Sequence, residues 1–149
     1  MPRKSAQLTP MMQQYYALKA EAGDKVLFFR MGDFYEIFGD DAEAVAPKLE
    51  LTMTSREKGD STKIPFCGVP HHSAKPYIVK LLNLGHKVAV ADQTEDPSQT
   101  TGLVRREITA VYTPGCVDEL EGLTPETPNY VAAFFEDPKS RQCSFAVVD

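Results

Sequence analysis

Residues 25–38 hold two short runs of strand-forming side chains with a turn between them. Val26-Leu27-Phe28-Phe29-Arg30 leads into Met31-Gly32-Asp33, after which Phe34-Tyr35-Glu36-Ile37-Phe38 continues extended. Apolar and aromatic residues at this density, broken by a glycine–aspartate turn, predict two strands. The neighbouring elements are read from their punctuation. Thr9-Pro10 opens a helix, with Thr9 as N-cap and Pro10 at the first helical position, where a missing N–H does no harm. Met11, Met12, Tyr15 and Leu18 fit one face of it, and Gly23 supplies a left-handed stop. Asp40 is placed to cap a second helix over 41–49, which Pro47 should shorten or kink.

Residues 51–55 alternate like a strand, and 56–63 read as a polar loop. Ile64-Pro65-Phe66-Cys67-Gly68-Val69-Pro70 holds too much proline and glycine for a regular element. Ser73 can cap a helix running to Leu84, and strands are expected over 86–92 and 104–112. This order predicts an α/β fold, a mixed β-sheet flanked by helices, over residues 1–113. Residues 114–128 carry Pro114, Gly115, Gly122, Pro125 and Pro128 among acids and read as a linker. Strands over 130–136 and 142–148 follow; a hairpin alone is marginal in water, so 129–149 is expected to be the first hairpin of an incomplete second domain.

The make-up of the chain narrows its function. With 149 residues, 42% of them hydrophobic and 25% charged, it can build a buried core, and disorder, collagen and coiled coil are excluded. Its apolar runs are too short for a transmembrane helix and its N-terminus is unlike a secretory signal, so no membrane partner is expected. Cys67, Cys116 and Cys143 are odd in number and lack a CxxC pair. They are expected to be reduced thiols of a cytoplasmic protein, buried as small hydrophobes. A net charge of −5 argues against coating nucleic acid by charge alone. Residues 1–20 and 53–80 nevertheless carry +3 each, which serves either as ordinary solvated surface or as a local contact to a polyanion.

Several enzyme classes lack their residues. There is no P-loop, GxGxxG or GxSxG, and His71-His72 with distant His86 do not have the spacing of a zinc site. Asp33, Glu36, Asp40 and Asp41 test for a metal-dependent nuclease, which needs convergent carboxylates. A turn accounts for Asp33 and a helix start for Asp40 and Asp41. A protein-interaction module remains a third reading.

Gly32-Asp33-Phe34-Tyr35-Glu36 is the unusual stretch. In a strand, Phe34 and Glu36 point to one face and Tyr35 to the other. By pattern alone the simpler account puts Phe34 in the core and Glu36 at the surface. The sharper account exposes both, an aromatic wedge that can enter a base step beside a carboxyl that can read a base edge.

These residues carry a resemblance. Thr9-Pro10-Met11-Met12-Gln13-Gln14-Tyr15, then Leu27-Phe28-Phe29-Arg30-Met31-Gly32-Asp33-Phe34-Tyr35-Glu36, resemble the amino-terminal domain of the MutS DNA mismatch-repair proteins. Ile64-Pro65 to Pro70-His71-His72-Ser73 and Tyr112-Thr113-Pro114-Gly115 follow in the same order. The resemblance implies a mismatch-recognition domain followed by the start of a connector domain. By position, Phe34 would stack on a mispaired base from the minor groove and Glu36 would hydrogen-bond to it. Arg56, Lys58 and Phe66 would fall in loops near mismatched double-stranded DNA. No cofactor is implied for these residues; ATP and magnesium would belong to a motor elsewhere in a parent protein that forms a homodimer. His71, where a tyrosine is more usual, and the stretch 88–101 depart from the family's pattern.

Overall fold

Thr9 starts the first helix, α1 (Pro10–Ala22): its Oγ1 accepts the Met12 N–H at 3.3 Å. Gly23, at φ +64°, ends it by donating its N–H to the Lys19 carbonyl. The computed structural model describes residues 8–57, 63–115 and 130–148. Strands β1 (Val26–Met31) and β2 (Phe34–Phe38) pair antiparallel, with Met31 opposite Phe34 and Gly32 turning at φ +57°. Only a residue without a Cβ takes that conformation at little cost.

Helix α2 (Gly39–Leu49) follows at once, and Asp40 does not cap it, since the N-cap is Phe38 and no side chain bonds the first turn. Asp41 has a tertiary task instead: Oδ2 accepts the Leu27 N–H at 3.2 Å and lies 2.9 Å from Lys19 Nζ. Pro47 is tolerated two residues from the end, and Glu50 closes the helix in the left-handed region at φ 59°.

Two expectations for the next segment are corrected. The strand predicted over 51–55 lies further along, as β3 (Thr54–Glu57), and the stretch read as irregular is an eight-residue strand, β4 (Lys63–Pro70). Its prolines fit because β4 is paired on both sides only at Phe66. Residues 63–66 pair with β3 and 66–70 with β2. Pro65 lies beyond the last β2 pair and Pro70 ends the strand, so neither breaks a two-sided ladder. After a short 3₁₀ turn at His71–Ser73 comes α3 (Lys75–Asn83), capped from Ala74; Ser73 Oγ donates to the Pro70 carbonyl instead of capping. Strands β5 (Val88–Gln93) and β6 (Arg106–Tyr112) complete the sheet.

The sheet order is β3-β4-β2-β1-β5-β6, with β1–β5 parallel and the other pairs antiparallel. This is the mixed sheet flanked by helices that the element order predicts. Alternation along the strands sorts the core into two layers. Phe28, Tyr35, Ile37, Cys67, Val69 and Val88 pack under α2 and α3, while Leu27, Phe29, Phe38, Ile64 and Ala89 pack under α1 through Met12, Tyr15 and Leu18. Each fully buried large side chain among these contributes about 1.5–3 kcal/mol. Cys67 is buried as expected, and burial pushes its thiol up to about 11. Cys143 is exposed, against expectation, and Cys116 lies outside the described residues.

Strands β7 (Val131–Glu136) and β8 (Cys143–Val148) form a separate two-stranded sheet. Phe134, Phe135, Phe145 and Val148 are exposed on it. All but residues 114 and 115 of the predicted linker lie outside the described residues.

Candidate nucleic-acid interface

The two-residue turn at Gly32-Asp33 carries Phe34 to the tip of the β1–β2 hairpin, beyond the part of the sheet that α1 covers. Phe34 is 47% exposed and belongs to neither core layer. The His71 N–H donates to the Asp33 carbonyl at 2.9 Å, tying the tip to the end of β4.

Glu36, two residues further in on the same face, is buried, at 8% exposure. The structure thus reverses both parts of the simpler account: the phenylalanine is out and the acid is in. It also departs from the sharper account, in which both are exposed. Gly68 stands opposite Glu36 on β4, and a Cβ there would lie 3.8 Å from Glu36 Cγ and 3.9 Å from Phe34 Cδ1. Those are ordinary van der Waals distances, so position 68 packs directly against both side chains.

One oxygen of that carboxyl is engaged and the other is not. Oε1 accepts from Arg56 Nη2 at 2.8 Å, while buried Oε2 has no hydrogen-bond partner among the described residues. The Arg56 guanidinium lies over the Phe66 ring at 4.9 Å from its centroid and 6.0 Å from that of Phe38. Arg56 and Phe66 therefore sit on adjacent strands and not in loops. Burial pushes the Glu36 carboxyl above its usual range, with Arg56 and then Arg106 pulling it back. Lys58 lies outside the described residues.

Sequence reading passed over two arginines. Arg106 is buried in β6, two strands from β2's neighbour β1, 4.9 Å over the Phe29 ring. It donates to the Arg30 carbonyl, to the Val104 carbonyl at 2.8 Å and to Gln14 Oε1 at 2.9 Å, binding β6 to the end of β1 and to α1. The available signal was an arginine on the inward phase of an alternating strand. Arg30 works on the opposite face, 3.7 Å from Asp92 Oδ1 and 5.7 Å over the Tyr35 ring. Tyr35 OH donates to Asp92 Oδ1 at 2.7 Å, and Thr109 Oγ1 to Oδ2 at 3.0 Å. Burial first, then Asp92, pushes the Tyr35 hydroxyl up to about 12, so it stays a donor. This network braces the hairpin from behind.

The four acids of the nuclease test do not converge. Asp33 is exposed at the tip, Glu36 faces Arg56, and Asp41 is engaged with Leu27 and Lys19. Among the described residues no three His, Cys, Asp or Glu side chains are grouped to hold a metal ion. What the arrangement offers is a half-exposed aromatic face in front of a buried carboxyl that Arg56 holds by one oxygen, on a braced sheet.

The family model described as MutS domain I matches residues 9–121. The chain is 56% identical over 128 residues to the DNA mismatch repair protein MutS of Brevibacillus brevis, covering 86% of this chain and 15% of that protein. It is 49% identical over 138 residues to that of Staphylococcus epidermidis, covering 93% of this chain and 16% of the relative. With the relative from Syntrophobacter fumaroxidans identity is 46% over 142 residues, covering 95% and 16%. The chain thus spans about a sixth of the length of these relatives. Motif order, fold and these matches agree: the chain belongs to the MutS domain I family.

Proposed function

We propose that this domain recognises mispaired or unpaired bases in duplex DNA, with Phe34 stacking on the base from the minor groove and Glu36 hydrogen-bonding to it. The observation that carries the reading is the half-exposed Phe34 at the hairpin tip with the unengaged Glu36 Oε2 behind it. Its likeness to DNA mismatch repair proteins supports it. A mispair stacks and pairs less well than a Watson–Crick step, so kinking the duplex there is easier. Unstacking a matched step costs a few kcal/mol, which a wedge at a mispair largely avoids. An aromatic partner returns about 1–3 kcal/mol and accepts any base, as a reader of many mispairs requires.

Arg56 and Phe66 flank the two reading residues, and Lys58 is assigned to the same DNA-facing side. Residues 1–113 form the recognition domain, 114–128 the linker, and 129–149 the first hairpin of the connector. The domain itself binds and does not catalyse; ATP and magnesium act in another part of a homodimeric, cytoplasmic parent protein. Among the described residues no helix is long and apolar enough to cross a membrane. Titration of a full-length protein carrying this domain with matched and singly mismatched duplexes tests the reading. A several-fold preference for the mispair that Phe34→Ala removes is expected, and equal binding of the two duplexes by the unaltered protein would overturn it.

A further inference from the structure

Resting on that reading, we propose that Arg56 is a positioning residue that acts through Glu36: by holding one carboxylate oxygen it fixes where the carboxyl sits behind Phe34, and it is not itself a phosphate contact. A basic residue at a DNA-facing surface is expected to reach for the backbone. The geometry points elsewhere. The guanidinium is held on two sides, by the Glu36 carboxylate at 2.8 Å and by the face of Phe66 at 4.9 Å. To reach a phosphate it would have to abandon both.

The carboxylate gains two things from this partner. The terminal torsion of a glutamate is broad and roughly two-fold, so an unheld carboxylate presents either oxygen over a wide arc. With Oε1 tied to Arg56, the buried and unpartnered Oε2 has one direction. The second gain is charge. A bare acid pressed against DNA repels every phosphate nearby, whether or not the duplex is mispaired; paired with a guanidinium it is locally neutral and keeps its acceptor. Arg106 adds a more distant positive charge, and Arg56 is the direct partner.

The experiment uses a full-length protein carrying this domain, titrated with a matched duplex and the same duplex bearing one mispair, over a series of salt concentrations. The variants are Arg56→Met, Arg56→Lys, Glu36→Gln and the Arg56→Met, Glu36→Gln double variant. Arg56→Met is expected to cut mismatch preference about tenfold, on the scale of one hydrogen bond to a charged group. Its salt slope should be unchanged, and it should have no further effect in the Glu36→Gln background. Mismatch preference in Arg56→Met should also become pH-dependent above the ordinary carboxylate range, because the buried acid has lost the counter-charge that pulls its pKa down. A stacking role alone would not produce that profile. Arg56→Lys keeps the charge, so it should restore part of the preference; it also serves as the test should the methionine variant fail to fold.

Equal weakening on both duplexes with a salt slope lower by about one charge would make Arg56 a phosphate contact and overturn the proposal. Additive effects of Arg56→Met and Glu36→Gln would overturn it too. Either result leaves the wedge reading standing, which fails instead if Phe34→Ala, in the same titration, leaves mismatch preference intact.

Discussion

Replacing Phe34 by alanine separates a wedge from a core residue, because the two roles differ in both stability and binding. The side chain is 47% exposed. A buried phenylalanine hides about 200 Å². At roughly 25 cal/mol per Å², half of that area, less the part alanine still covers, is worth about 1.5–2 kcal/mol. A core phenylalanine such as Phe28, fully buried beneath the helices, should cost about 3–5 kcal/mol when truncated. Urea denaturation of this chain with Phe34→Ala and Phe28→Ala measured side by side gives both numbers. In a full-length protein carrying the domain, Phe34→Ala should lower the preference for a mispair about five- to hundredfold, the equivalent of roughly 1–3 kcal/mol of lost stacking. Affinity for matched DNA should change little. A Phe34→Ala chain destabilised as much as Phe28→Ala would make Phe34 a packing residue, and the argument from its exposure would be wrong.

Three further outcomes are expected. Burial raises the Glu36 pKa above its ordinary 4.5, so the folded chain holds that proton more tightly than the unfolded one. The resulting stability is complete below 4.5 and is lost as pH rises through the raised folded value. The stability difference between the parent chain and Glu36→Gln should therefore fall over that window in pH-series melts, and a flat difference would contradict it. Arg106→Leu should cost about 2–4 kcal/mol in urea titrations, because the part-buried Arg30 and Val104 carbonyls lose a charged donor together; a loss under about 1 kcal/mol would show that water replaces it. Ending the chain after Thr113 should leave the melt of the six-stranded sheet within a few degrees and reduce self-association, since the exposed Phe134, Phe135 and Phe145 go with the hairpin. A collapse in melting temperature would assign the hairpin to the first domain.

What the sequence discloses about the fold is what short-range chemistry decides. Thr9 and Gly23 bracket α1 as read because a cap bonds to a neighbour three or four residues away. Gly32 turns as read because only its own φ is at stake. The misreadings share a cause of the opposite kind. Pro65 and Pro70 argue against a strand until it is known that β4 meets β3 along one half and β2 along the other. Asp40 looks like a cap, yet it is Asp41 whose carboxylate is taken up, by the Leu27 N–H and Lys19 on other elements. No property of residues 40 and 41 alone distinguishes these fates.

The site shows the same division more sharply. A period of two puts Phe34 and Glu36 on one face, and that much is legible. Depth along the face is not, because it is set by what lies above. α1 ends its coverage short of Phe34, and Glu36 is set by residues from three other strands: Gly68, which stands opposite it, Arg56, which pairs with it, and Arg106, whose charge acts on it from further off. Hydrophobicity ordered the pair the wrong way round because it ranks side chains by their own preference for water, whereas here the sheet offers the apolar one only half its cover and the charged one a partner. An exposed aromatic beside a buried acid runs against both preferences. The acid is kept inside by the Arg56 guanidinium, and that guanidinium is in turn held flat by Phe66. Phe66 reads in the sequence as a candidate contact to DNA; in the structure it supports Arg56, which holds the residue that would read the base.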